Sequence, residues 1–261
     1  MIGVLLTSTC WYEGIDKETF AARVEELVKC ITTLRGHISQ PYELIIADNS
    51  PAGKMPSEQI LELCPPGAIM LRPASNPGKS VGEATLVRDG VHLSASRGHK
   101  WLLKLTGRYF IFGGWSLDST IEMLEKRRKN LYVHLTGAPL NKIPWAKGHP
   151  LLEKEGQAEA LLTHVATQVF IARPDYLVNS GALSNDFLYR ENRWVNYEQL
   201  FWHAIRNLDF LHWPDPPVDG YEANKSTGIT IQRRLALLRN NVYETTENYG
   251  QLAHVDISSL L

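Results

Sequence analysis

The segment KLTGRY, residues 104–109, places Lys104 and Arg108 where the apolar run WLLKL gives way to a turn. Cations at such a mouth suit an oxyanion: a guanidinium forks onto two phosphate oxygens, whereas an ammonium acts as a point charge. Three more apolar runs end in polar clusters. Thr7, Ser8 and Thr9 follow the first, Asp48, Asn49 and Ser50 the second, and Asn76, Pro77, Gly78 and Lys79 the third. Thr106, Gly107, Arg108 and Tyr109 complete the fourth. Turn chemistry accounts for any one cluster; four together mark a binding edge. Gly78 permits close backbone approach to a ligand. Gly82 costs a helix about 1 kcal/mol against alanine, which points to a close contact there. Lys79 at a helix start opposes the helix dipole, a conflict that a bound anion relieves and a solvent-directed side chain evades.

The elements that position these clusters follow from periodicity. IGVLLTS reads as a strand buried on both faces, and YELIIADNS, AIMLRP and WLLKLTG as the second, third and fourth strands. Between them lie a helix with Phe20, Val24, Leu27, Val28, Ile31 and Leu34 on one stripe, and the short helix PSEQILELC. A third helix over about 79–95 buries Ala84, Val87, Val91 and Ala95. This alternation predicts an α/β fold with a mostly parallel sheet flanked by helices. Ligands then sit beyond the carboxyl ends of the strands, where the polar clusters are. The second half is less regular. SLDSTIEMLEKRRKN reads as a helix, LYVHLTG and QVFIAR as strands, and a helix from near Asn196 buries Tyr197, Phe201, Ala204 and Leu208. HWPDPPVDGYE reads as loop for its prolines, and ITIQRRLALLRNN as a further helix. With no internal repeat or linker, 1–261 reads as one domain.

Composition narrows the function classes. Apolar residues make up 44% of the 261, charged ones 21%, and the net charge of −1 argues against a general nucleic-acid binder. Any anionic ligand must be met by local cations. Cys10, Cys30 and Cys64 are odd in number and lack C-x-x-C spacing, which favours buried free thiols in a reducing compartment over disulfides or zinc. The N-terminus lacks a basic n-region and reads as the first strand. No apolar stretch approaches the ~18 residues of a spanning helix. A cytoplasmic protein is expected, and peripheral membrane contact is compatible with the sequence. The G-x-G-x-x-G of a dinucleotide fold is missing after the first strand, as is any G-x-x-x-x-G-K-[ST] phosphate loop.

IIADNS and NPGKSVGEA resemble the nucleotide-binding segments of family 2-like, GT-A-type glycosyltransferases, over roughly residues 2–115. The resemblance implies a Rossmann-like GT-A fold, with 1–115 as the nucleotide-sugar-binding half and 116–261 as the acceptor half. It implies that Asp48 accepts hydrogen bonds from the base or ribose; an Asx-turn is the alternative. The sequence departs from the family at the end of the fourth strand, where no Asp-x-Asp stands to hold a divalent cation. Lys104 and Arg108 in that place imply direct charge compensation of the diphosphate and no required cofactor, with magnesium or manganese as the less favoured alternative, held by an acid such as Asp118. Otherwise Arg108 pairs with a carboxylate and Lys104 snorkels along the strand edge.

The family's catalytic base is an acid near a helix start, often within a Glu-Asp pair. WVNYEQLFWHAI matches it with Glu198, capped by Asn196, although Gln199 replaces the second acid. Glu198 as a mere complement to the helix dipole is the alternative, and Asp186 is the reserve base. His134, His164 and His203 have apolar surroundings and read as core. Trp145, Trp194, Trp202 and Trp213 offer faces for an acceptor sugar, most of them as core. The implied activity is inverting transfer from a nucleoside diphosphate sugar to a hydroxyl of a glycan, polysaccharide or glycolipid. The rivals are a sugar nucleotidyltransferase, which would turn over a nucleoside triphosphate, and a non-catalytic binding module, which would bind donor without transfer.

Overall fold

The computed structural model describes residues 1–55, 57–73, 78–143, 146–214, 216–220 and 253–261. The chain runs β1 (Ile2–Ser8), α1 (Lys17–Leu34), β2 (Tyr42–Asp48), α2 (Ser57–Glu62), β3 (Ile69–Leu71), α3 (Lys79–Ser96) and β4 (Trp101–Thr106). It continues β5 (Tyr109–Ile111), α4 (Leu117–Lys126), β6 (Leu131–Pro139), β7 (Leu161–Ala172), α5 (Pro174–Asn179), α6 (Tyr197–Ile205), β8 (Phe210–His212) and β9 (Val218–Gly220). Seven strands form one mixed sheet in the order β3-β2-β1-β4-β7-β6-β8. β3, β2, β1 and β4 are parallel, β7 is antiparallel to β4 and β6, and β8 is parallel to β6.

Helices cover both faces, which is why the central strands are apolar on both sides apart from Glu43 and Lys104. Leu5, Ile45, Leu102 and Phe170 pack on the side of α3, α5 and α6. Val4, Leu6, Ile46, Leu103 and Leu105 pack against Leu27, Ile31 and Leu34 of α1 and Leu117, Ile121 and Leu124 of α4. Aspartate caps α1: the Asp16 carboxylate accepts from the Thr19 amide at 2.7 Å. The three cysteines are buried and unpaired. No helix among the described residues is long and apolar enough to cross a membrane.

The second half corrects the sequence reading in two places. β7 is a twelve-residue strand from Leu161, where only 168–173 were expected. HWPDPPVDGYE is not all loop: Val218–Gly220 pairs antiparallel with β5, and the Phe112 amide donates to the Pro217 carbonyl at 3.0 Å. The prolines precede the ladder and offer it a carbonyl, so their missing N–H costs nothing there. On the helices, Ala95 and Ala204 are only half-buried, while Ser94, Leu200 and Trp202 are buried; Leu208, expected on α6, is half-buried and lies past its end at Ile205. The tail read as helix, ITIQRRLALLRNN, lies outside the described residues.

Candidate active site

Parallel register sets Ser8 level with Asp48 and Thr7 level with Thr106 at the carboxyl edge of β2, β1 and β4. Strand alternation divides this edge into two sides. On the α1 side, Asp48 is fully buried. One carboxylate oxygen accepts from the Ser8 hydroxyl and from the Cys10 amide at 3.2 Å; the other accepts from the Ser50 amide at 2.7 Å. The last bond is the Asx-turn. Ser50 in turn accepts from the Trp11 amide at 2.9 Å, and the Asn49 amide donates to the Ser8 carbonyl at 3.1 Å. Asp48 therefore ties the loop after β1 to the turn after β2. Burial, then the Asp48 charge, pushes the Cys10 thiol up to about 12 and keeps it neutral.

On the α3 side, Lys104 has no exposed surface. Its ammonium donates to Glu83 Oε1 at 2.6 Å, to Thr106 Oγ1 at 2.9 Å and to the Thr167 carbonyl. Three donors meet three acceptors. Burial holds its pKa below the usual lysine value, opposed by Glu83 and Glu198 and assisted by Arg108. The oxyanion contact expected of Lys104 is corrected on this point: residue 104 lies two places inside the strand, and its side chain enters the layer beneath the edge. Glu83, whose Oε1 also accepts from Thr7 Oγ1 at 3.1 Å, was missed in the sequence. A lysine inside an apolar strand was the available signal, since a buried ammonium requires a carboxylate nearby.

Arg108 stands past β4, half-buried, its guanidinium 5.9 Å from the Tyr109 ring. Tyr109, expected to touch substrate, is instead 2% exposed and packed in the α1-side core. Gly78 precedes α3 with φ +115°, a conformation that strains any L side chain, and an added Cβ would lie 3.1 Å from Glu191 Oε1. The Gly82 amide donates to the Gly78 carbonyl at 2.8 Å. Asn76 and the side chain of Lys79 lie outside the described residues.

A capping box opens α6. The Gln199 amide donates to Asn196 Oδ1 at 3.0 Å, and Gln199 Oε1 accepts from the Asn196 amide at 2.8 Å. This explains why an amide follows Glu198: Gln199 is buried and serves the cap. Glu198 is half-buried in the first turn, and its charge reaches both Lys104 and Tyr197. The buried Tyr197 phenol is raised well above its usual range by desolvation, then by Glu83, Tyr189 and Glu198. The remaining candidates scatter. Asp186 is exposed on a short 3-10 turn. Asp118 accepts from the Ser39 amide at 2.8 Å and hydroxyl at 2.5 Å. Trp202 and Trp213 are core, Trp194 is half-buried under Arg193 at 4.6 Å, and Trp145 lies outside the described residues. His134 is buried against the Trp213 carbonyl, and His164 and His203 are half-buried beside Thr136 and Phe187. The end of β4 offers a hydroxyl and a guanidinium, which does not fit a divalent cation. Among the described residues no three His, Cys, Asp or Glu side chains gather as ligands.

No family model matches the sequence. No curated protein matches it either. Solved structures do. The mannosyltransferase Ktr4p from S. cerevisiae superposes with a TM-score of 0.51 at 11% identity, over 82% of this chain and 69% of its own. The fold is of the GT-A type. S. aureus TarS 1–349, solved in complex with UDP-GlcNAc, gives 0.50 at 9% identity, over 86% of this chain and 61% of its own. A cytidylyltransferase from Leptospira borgpetersenii serovar Hardjo-bovis gives 0.50 at 11%, over 88% and 81%. The GT-A architecture thus accompanies both sugar transfer and nucleotidyl transfer among the proteins this chain is similar to.

Proposed function

We propose that this GT-A fold transfers a sugar from a nucleoside diphosphate sugar to a hydroxyl acceptor, with inversion. One observation carries the reading: the buried Lys104 feels both Arg108, at the end of β4, and Glu198, at the start of α6. A cation for the leaving group and a carboxylate for the acceptor thus both act on the one buried ammonium that holds Thr106 at the end of β4. Glu198 takes the proton of the acceptor hydroxyl as its oxygen attacks the anomeric carbon. The bond from that carbon to the β-phosphate oxygen breaks, and its electron pair leaves on the diphosphate, where Arg108 offsets the growing charge. Lys104 is a positioning residue that holds Thr106 and Glu83. Ser8, Asn49, Ser50, Asn76, Gly78, Lys79 and Gly82 form the donor's surroundings in this reading, with the fully buried Thr7 and Asp48 in the layer beneath.

The reaction needs no metal in this reading, and the acceptor is a glycan, polysaccharide or glycolipid. Three unpaired thiols support a reducing, cytoplasmic setting. The deciding experiment is a thermal-shift series with nucleoside diphosphates in excess chelator, followed by assay of donor hydrolysis or transfer. A raised midpoint and release of nucleoside diphosphate are expected. The cytidylyltransferase likeness favours nucleotidyl transfer as the second reading. Release of pyrophosphate from a nucleoside triphosphate would replace the first reading by the second.

A further inference from the structure

The α1 side of the site holds a second guanidinium. Arg23 Nη1 donates to the Thr9 carbonyl at 2.5 Å, just past the end of β1, and its guanidinium lies 4.9 Å over the Tyr12 ring. β1 and β4 are neighbours in the sheet, so Arg23 and Arg108 flank adjacent strand ends. Between those ends a Cβ on Gly107 would meet Leu27, one turn beyond Arg23, at 2.7 Å, and Ser8 at 3.3 Å. Glycine there lets α1 close on the edge. No carboxylate forms an ion pair with Arg23 or Arg108 among the described residues, and Arg23 Nε is buried without a hydrogen-bond partner. Each guanidinium opposes the other: burial, then the charge of Arg108, lowers the Arg23 pKa. Glu26, raised chiefly by burial, is drawn back down by the charges of Arg108 and then Arg23, and its Oε2 is likewise buried and unpartnered.

We propose that Arg23 and Arg108 form a paired-guanidinium seat for the phosphates of a nucleoside diphosphate, the place the sequence reading had given to Lys104. The seat rests on the donor reading above. A diphosphate relieves the mutual repulsion of the two arginines by forking onto their guanidinium groups. Glu26 competes with it as an internal anion. Both arginines are half-buried and so reach solvent, which Lys104 does not.

Titration calorimetry of the full chain in excess chelator, with UDP, GDP and CDP, with inorganic pyrophosphate and with the bare nucleosides, tests the seat. Arg23→Ala is expected to weaken nucleoside diphosphate and pyrophosphate binding by about 10- to 100-fold, as loss of a charge-assisted contact does. Nucleoside binding should change little. Arg23→Lys, which keeps the charge and the fold, should recover only part of the loss. Glu26→Gln should tighten pyrophosphate binding, an effect that no structural damage imitates. Undiminished diphosphate affinity in Arg23→Ala overturns the seat and leaves the donor reading standing. Pyrophosphate binding that depends on Arg23, with no nucleoside diphosphate preferred over it, sinks the donor reading and keeps the seat. Failure of the wild type to bind either compound sinks both.

Discussion

At the scale of single residues, two side chains four positions apart in the sequence divide the work of a cationic site. Arg108 faces the edge, and Lys104 holds the layer beneath it. Replacing Lys104 by alanine strands Glu83 and empties a fully buried volume, at an expected cost of about 3 kcal/mol. The figure sits at the low end for a broken buried pair because the Glu83 side chain is 25% exposed and can hydrate. Arg108→Ala should do the reverse, cutting donor affinity with little change in the urea midpoint. Equal stability losses in both variants would erase the distinction. Glu198→Gln keeps the shape of the first turn of α6 and removes the base, so transfer should fall ~10²-fold or more with donor binding intact. Near-normal turnover in that variant would move the base elsewhere, with Glu83 the next carboxylate in reach of the same cluster. The polar edge itself was legible, because strand ends and turn formers are local features. Glu83 and Arg23 were not. Their significance lies in contacts 21 and 14 positions away, which no spacing rule reports.

Elements were legible in proportion to how periodic they are. α1 carries an apolar stripe from Phe20 to Leu34, α3 buries Val81, Ala84, Val87 and Val91, and β1, β2 and β4 are largely apolar, broken inside only by Glu43 and Lys104. The part of β7 before Gln168 escaped because Thr163, His164 and Thr167 interrupt it, and a bulge against β6 between Val133 and Leu135 breaks its alternation. β5 and β9, three residues each, are too short for any pattern and exist through each other. One tie between elements was invisible from sequence although it uses an ordinary glycine. Ser94 at the end of α3 and His99 before β4 share a 2.9 Å hydrogen bond, and His99 Nε2 lies 3.2 Å from the buried Glu43 of β2. A Cβ on Gly3 of β1 would stand 2.6 Å from His99 Nδ1 and 2.8 Å from Ser94 Oγ. Gly3→Ala must therefore push the imidazole aside, at an expected cost of about 1–3 kcal/mol, typical of overpacking. Gly3 lies five strand residues from Ser8, about 17 Å, so donor affinity should not change. A wild-type denaturation midpoint for Gly3→Ala would show that the junction yields freely; altered affinity at full stability would mean that the two ends of the sheet are coupled.

The molecule as a whole carries a net charge of −1, so no long-range field draws an anion in and the arginines at the edge act locally. Its response to alkali is set by buried groups that folding keeps neutral. Cys30 is wholly buried, and burial alone pushes its thiol up to about 12; Cys10 is raised to about 12 as well. In the unfolded chain a thiol ionises near 8.5. Between about pH 9 and 12 the folded state thus retains protons that the unfolded state has released, and stability must fall as pH rises, by about 1.4 kcal/mol per pH unit for each such thiol. The raised Tyr197 acts in the same direction. Lys104 acts in the opposite one: its lowered pKa means that the folded state releases a proton which the unfolded state still holds, and this adds stability as pH climbs toward the ordinary lysine value. Two thiols and a phenol outweigh one lysine, so the balance is a loss. Urea unfolding under reductant should show a lower midpoint at pH 10 than at pH 8. Cys30→Ala, compared by the slope of that decline so that its small cavity cancels, should lose stability less steeply than the wild type. A midpoint that rises toward pH 10 would give Lys104 the larger share, and identical slopes for the two proteins would mean that the Cys30 thiolate is already tolerated inside the fold.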